Sequence, residues 1–338
     1  MTVNTTTQIP LPVQEFYERT LLERALPRLV AKKFGQNRPL KTKSGDTIKF
    51  RRYNALPLAT TPLQEGVTPT GGTASVTDIT AQLELYGYYL TISDKVTLMS
   101  VDPVITELVE VLGEQAGQTL DLVTYNVLLA GTNVIYAGGV AGRSSVKDII
   151  TAADLELAIR TLKRQNARKI TEVVKASTGF NTYPIKPAYI GICHPDVARD
   201  IAKLPGFIPV ERYAMVTDVI DEAEIGAWQD IRFLESTLVP KWAGAGASIT
   251  SEDVLATSGK ADVYPVIIFG ADAYGCVHLG NKDDVDIIIK TSDGDVYDRS
   301  DPLNQRSTIG WKAYYTAVIL NDAWLVRIEC AATNSGRT

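Results

Sequence analysis

The chain has 338 residues, 45% of them hydrophobic and 22% charged. That balance excludes disordered, collagen-like and disulfide-dense classes and leaves a folded protein of two domains, or of one core with a large insertion. The net charge of −5 is unevenly spread: Arg24 to Asn54 holds ten basic residues against the single Asp46, so this segment carries +9 and the remainder −14. A basic arm on an acidic body suits nucleic acid or another acidic body as its partner.

No run approaches the roughly 20 apolar residues that span a bilayer. The opening MTVNTTTQIPLPVQEF lacks the basic start and apolar centre of a signal peptide. Neither a membrane partner nor a secretory route is expected. Cys193, Cys276 and Cys330 are odd in number and widely spaced, which suits neither a disulfide framework nor a zinc clip and makes a reducing interior the default.

In chain order, VQEFYERTLLERALPRLVAKKF, residues 13–34, has apolar residues at helical spacing that Pro27 interrupts, predicting a short helix, a kink and a second turn. GDTIKFRRYN then alternates Ile48 and Phe50 with Lys49 and Arg51, a strand pattern after a Ser-Gly-Asp turn. Its expected partner is AQLELYGYYLTIS, Ala81 to Ser93. The proline-containing stretch between them has no periodicity and is longer than a compact domain usually tolerates, which predicts a projecting ribbon. Because a two-stranded ribbon is marginally stable alone, it needs a partner surface.

After Asp102-Pro103, residues 104–130 give the longest helical pattern, with Val104, Leu108, Val111, Leu112, Leu122 and Leu129 expected on one face. At about 1.5 Å per residue such a spine is about 40 Å long. The glycine-rich GTNVIYAGGVAGRSS separates it from TAADLELAIRTLKRQNA, where Thr151 and Asp154 suggest a capping box. A strand around Ala188–Cys193, a helix at Pro195–Lys203, a flexible loop in KWAGAGASITSEDV, and strands at Tyr264–Gly270 and Val285–Lys290 follow, an α+β pattern. WKAYYTAVIL and AWLVRIEC are expected to pair as a hairpin through Asn321-Asp322, and the tail TNSGRT to be mobile.

Candidate chemistry is sparse. The chain has two histidines, His194 and His278. No G-x-S-x-G elbow accompanies His194, which reads as a loop or capping residue at a strand end. WAGAGAS lacks the lysine of a phosphate loop. Asp293, Asp295, Asp298 and Asp301 have oxygen ligands suited to calcium, but their glycine is misplaced for an EF-hand, which favours a solvated acidic turn. No catalytic, cofactor or metal residue is assigned, and no enzyme activity is expected. The basic segment stands out more. Phe34, Phe50 and Tyr53 among its cations suit phosphate contacts and base stacking, whereas the −14 elsewhere suits contact with a neighbouring copy. A plain solvated face is the third reading.

The blocks LLERALPRLVAKKFGQNRPL, GDTIKFRRYNALPLATTPLQEGVTP, LGEQAGQTLD, GTNVIYAGG, EIGAWQDIRFLES and DPLNQRSTIGWKA, in that order, resemble the major capsid proteins of tailed bacteriophages, specifically the group typified by the coliphage N-four capsid protein. The resemblance runs from about Gln14 to Glu329. It implies the Hong Kong 97-like fold: an N-terminal arm (1–38), an extended loop (39–95), a peripheral domain with the spine helix (96–150 and 310–332) and an axial domain (151–309), followed by the tail (333–338). Subunit contacts are then expected at Lys49, Arg51, Arg52 and Glu65 of the loop and at Asp301, Gln305, Arg306 and Lys312 where the chain returns.

The implied partners are further copies, as pentamers and hexamers, a portal protein, decoration proteins and packaged double-stranded DNA bound without sequence preference. The arm helix begins close behind Met1, so a separate scaffolding protein is also expected. The implied location is the virion, after assembly in the bacterial cytoplasm. An encapsulin-like nanocompartment is the alternative, and an unassembled enzyme a remote one.

Overall fold

The computed structural model describes residues 29–334, except 42, 44, 61, 63–64, 67, 69–70, 100–103, 171–186, 214–218, 250–252, 281–284, 291–302 and 304. The expected arm helix with its Pro27 kink, the helix start at Asp102-Pro103, the aspartate cluster at 293–301 and the end of the tail therefore lie outside the described residues. A 3-10 turn at Ala31–Phe34 leads into β1 (Gln36–Leu40), β2 (Thr47–Tyr53), β3 (Val76–Gln82) and β4 (Glu84–Ser93). Next come α1 (Asp94–Met99), α2 (Val104–Leu128), β5 (Val134–Tyr136), α3 (Ala152–Arg164), β6 (Tyr189–Cys193) and α4 (Pro195–Ala202). The remaining strands are β7 (Phe207–Pro209), β8 (Glu224–Trp228), β9 (Ile231–Glu235), the short β10 (Ala256–Thr257) and β11 (Lys260–Ala261), β12 (Tyr264–Phe269), β13 (Tyr274–Leu279), β14 (Asp286–Lys290), β15 (Arg306–Ile319) and β16 (Leu325–Cys330).

Helix α2 has 25 residues, about 37 Å of rod at 1.5 Å per residue. Its buried side chains include Leu112, Ala116, Leu120, Thr124 and Leu128, four apart along one stripe, with Asp121 and Tyr125 beside them. Leu122, expected on this face, is instead 39% exposed. Two positions past Leu120 is about 200° around a 3.6-residue turn, which points it away.

The stripe packs on a five-stranded sheet centred on β15. Ten residue pairs, Arg306↔Ser93 to Tyr315↔Glu84, join β15 to β4, while its other edge receives β14 and then β13, with β1 parallel to β13. Alternate β15 residues Ser307, Ile309, Trp311, Ala313 and Tyr315 are buried, as period-two geometry requires. Gly310 sits where a Cβ would stand 2.8 Å from the Tyr89 Cβ, so only glycine lets the two strands approach this closely.

A seven-stranded sheet, β5-β16-β12-β6-β9-β8-β7, forms the next layer. Every residue of β6, β12 and β16 is buried, because the sheet is covered on both faces. Ile190, Ile192, Ile267 and Phe269 face the α2 side, while Tyr189, Val266, Ile268 and Ile328 face α3 and α4. The expected capping box on α3 is present: the Asp154 carboxylate accepts from Thr151 N at 3.0 Å, and Thr151 Oγ1 accepts from Asp154 N at 3.4 Å.

Three sequence expectations are corrected. The ribbon partner of β2 is β3, which shares only Ala81 and Gln82 with the expected partner and otherwise lies in the stretch expected to be structureless; its VTDITAQ is too polar to stand out as a strand. The richer run at 84–93 joins β15 instead, separated from β3 only by Leu83. Second, β15 and β16 do not form a hairpin. A 3-10 turn at Asp322–Trp324 carries the chain from one sheet to the other, where β16 lies between β5 and β12. Third, the 241–249 segment is stitched in place: Trp242 bridges to Val263, and Ala247 N donates to Val146 O at 2.9 Å. Gly246 fits there because a Cβ would collide with the Val146 carbonyl oxygen and with Ala261.

Candidate assembly surfaces

The β2–β3 ribbon forms a sheet of its own. At its root Ile48, Phe50 and Leu83 pack on Leu40, Ala81 and Val277, while farther out Tyr53, Leu56 and Leu58 are 71%, 63% and 88% exposed. These three side chains leave apolar surface bare on the outer ribbon.

The sequence-selected residues fall into separate groups. On the ribbon, Arg51 Nε and Nη2 donate to the two Asp78 oxygens at 2.9 and 3.1 Å, and Lys49 Nζ lies 3.9 Å from the same carboxylate. The bidentate hydrogen bond from Arg51 holds the Asp78 carboxyl below its usual range and raises the Arg51 guanidinium. Part of the basic face is therefore answered by a cross-strand acid within the chain. Arg52 is exposed, paired in register with Thr77, and Glu65 is exposed in the loop beyond the strands. At the sheet, Gln305 O accepts from Asp94 N at 2.9 Å, half-buried Arg306 opens β15 opposite Ser93, and exposed Lys312 lies between Gly87 and Asp286. Asp301 lies outside the described residues.

Sequence reasoning passed over two features. The Asp121 carboxylate, on the buried face of α2, accepts from Val30 N at 3.2 Å and Lys32 N at 3.0 Å, tying the root of the arm to the spine. Burial raises its pKa, opposed by these backbone bonds. Its position on the α2 stripe was the available signal. Strand β14, the other feature, exposes Ile287, Ile288 and Ile289 at 45%, 39% and 47%.

The histidines play scaffold parts. His194 is the N-cap of α4, its Nδ1 accepting from Asp196 N at 3.2 Å. Burial lowers its pKa, Asp196 opposing. His278 is buried within β13, and burial lowers its pKa too. Replacing both with asparagine should leave particle yield within a few-fold, since asparagine is itself a good N-cap; loss of function in a soluble, assembled double variant would contradict this. All three cysteines are free and buried, and burial pushes their thiols up. Among the described residues no cluster of three or more potential ligands is placed to hold a metal, and no helix is long and apolar enough to cross a membrane.

A spine helix under a sheet, with a ribbon and an apolar edge strand left bare, is the build of a subunit that completes itself on neighbours. The phage capsid protein family model matches residues 76–328, and the chain belongs to that family; it is a structural protein of the phage shell, not an enzyme. No curated protein matches it in sequence. Among solved structures, the Ralstonia phage GP4 capsid is similar at a TM-score of 0.68 and 11% identity, covering 96% of this chain and 97% of that one. The cyanophage Pam1 capsid gives 0.66 and 12%, with 96% and 97% covered. The SrpI encapsulin of Synechococcus elongatus gives 0.56 and 8%, with 94% and 95% covered. The fold is thus the Hong Kong 97-like one.

Proposed function

We propose that the chain is the major capsid protein of a tailed double-stranded DNA phage, of the group typified by the coliphage N-four capsid protein, and that it builds an icosahedral head from pentamers and hexamers. The observation that carries this reading is the ribbon, which is seated at its root and bare beyond it. Many modest contacts repeated under closed symmetry give a stable shell whose single errors are reversible. Residues 1–38 serve as the arm and 39–95 as the extended loop. Residues 96–150 with 310–332 serve as the peripheral domain, which carries α2, and residues 151–309 as the axial domain, which carries α3 and α4. Lys49, Arg51, Arg52, Glu65, Asp301, Gln305, Arg306 and Lys312 act at subunit boundaries. A separate scaffolding protein, a portal, decoration proteins and the packaged genome complete the partners, with assembly in the bacterial cytoplasm.

Electron microscopy of particles purified from producing cells tests this. Closed shells holding DNA support it, shells holding enzyme cargo support the encapsulin reading, and a subunit that stays monomeric at high concentration overturns both. Arg51→Glu with Arg52→Glu should leave both large sheets and α2 folded, because it breaks only the Arg51–Asp78 pair within the exposed ribbon, yet abolish shells; normal shells from this variant would remove the basic ribbon face from the interface.

A further inference from the structure

We propose that the cleft between the ribbon root and the β15–β16 connection is a nucleotide-binding site, taking the base of an unpaired nucleotide on its apolar floor and the phosphates on its arginine rim. The site is complete within one chain, so it stands independently of the shell reading.

The cleft has a volume of about 570 Å³, within the roughly 300–1,000 Å³ of small-molecule sites. Ile48, Phe50 and Ile79 line it from the ribbon, Leu320 and Trp324 from the connection. Leu40 of β1 and Phe50 of β2 both belong to the apolar cluster at the ribbon root. Side chains two apart share one face of a strand, so Arg38, two before Leu40, and Arg52, two after Phe50, continue these apolar faces and bring a cation from each strand to the cleft. Lys49, Arg51 and Arg168 line the cleft as well, but acids answer them: Asp78 for the two on the ribbon, and Asp272, at 2.6 Å, for Arg168. Among the described residues no ion pair engages Arg38 or Arg52, and both are exposed. The occupant is therefore anionic at the rim and apolar at the floor.

Trp324 makes the floor suited to a flat ring. Its Nε1 donates to Gln165 O at 3.0 Å, and the Arg168 guanidinium lies 5.7 Å from its ring centroid. These contacts hold the indole's orientation while the residue stays half-exposed. Aromatic rings fixed beside cations stack bases of any sequence while the cations follow the phosphates. A DNA duplex keeps its base faces stacked inside and offers phosphates and base edges, so it has nothing to lay on the floor. A run of aspartate and glutamate supplies charge but no flat face. An unpaired nucleotide, free or within a single strand, supplies both.

Fluorescence anisotropy of the full-length unassembled subunit tests this, with a labelled oligothymidylate of about eight nucleotides, inside the roughly 4–16 of known strand sites. Subunits that have not assembled keep the assembly defects of rim variants out of the measurement. Saturable binding is expected. Arg38→Gln/Arg52→Gln should weaken it at least about tenfold and make its logarithmic salt dependence shallower by about 0.7 for each lost phosphate contact. Trp324→Leu should weaken it at least about fivefold with the salt dependence unchanged, as loss of stacking does; Phe50→Leu repeats the test where the Trp324 variant fails to fold. Displacement of the oligomer by ATP marks a free nucleotide as the ligand, and retention marks a strand; each supports the site. Absence of binding at low salt, or binding that the arginine variants or both aromatic variants leave intact, overturns it. Equal binding of a duplex of about 20 base pairs, which offers phosphates alone, or equal displacement by polyglutamate overturns it too. A chain that binds in the expected way yet never forms shells removes the shell reading and leaves the site standing.

Discussion

Trp311→Ala should destabilise the subunit by about 3–5 kcal/mol, the usual cost of removing a buried large aromatic. Trp311 is 4% exposed and lies in the core between α2 and β15. Its Nε1 donates to Gln115 Oε1 at 3.1 Å, so truncation also leaves that α2 amide without this partner. Thermal unfolding of the unassembled subunit checks this, and a melting point close to wild type would place Trp311 outside the core. Arg306→Ala, on the same strand, should instead leave melting nearly unchanged and reduce shells; a large fall in melting, or full assembly, would remove it from the boundary.

Glu329→Ala should cost about as much by a different route. The Glu329 side chain is fully buried in β16 and accepts from Arg143 Nε and Nη2 at 2.7 and 2.8 Å and from Arg327 Nε at 2.9 Å. The Arg143 guanidinium lies 3.5 Å from the Trp242 ring centroid, so one carboxylate gathers the glycine-rich segment, the 241–249 loop and the seven-stranded sheet. Removing one partner of a buried pair leaves uncompensated charge and costs about 3–5 kcal/mol. Glu329→Gln keeps an acceptor and should fall between the alanine variant and wild type. Chemical denaturation of the subunit measures both, and an alanine variant as stable as wild type would show that the guanidinium groups find solvent instead.

What the sequence revealed was what local periodicity controls. The spine, the α3 capping box, the His194 strand end and β2 were legible because their signals lie within a few residues of one another. Strand pairing was not. β15 and β16 read as a hairpin because each is a strong strand and Asn321-Asp322 is a good turn, yet the burial of β16 on both faces demanded a central place in another sheet. Leu122 was misplaced by treating a broad apolar face as a single stripe. The ribbon cations were visible as charge, but Asp78, the acid that answers Arg51, lay in a run too polar to be recognised as a strand. Asp121 went unremarked because its donors are backbone amides about 90 residues away.

The junction at Leu83 has a mechanical consequence. β3 and β4 follow one another with a single residue between them, and Leu83 N is held by Asp46 O at 2.8 Å. Together they make one rod, its outer part in the ribbon and its inner part clamped to β15 by ten pairs. Those pairs cannot slip by one position without turning every side chain to the wrong face. A pull on the ribbon tip is therefore delivered along the rod to the sheet under α2, rather than dissipated in a slack loop. Each subunit is a lever whose short arm is its own core, so a load on the ribbon reaches the sheet and spine helix of the same molecule.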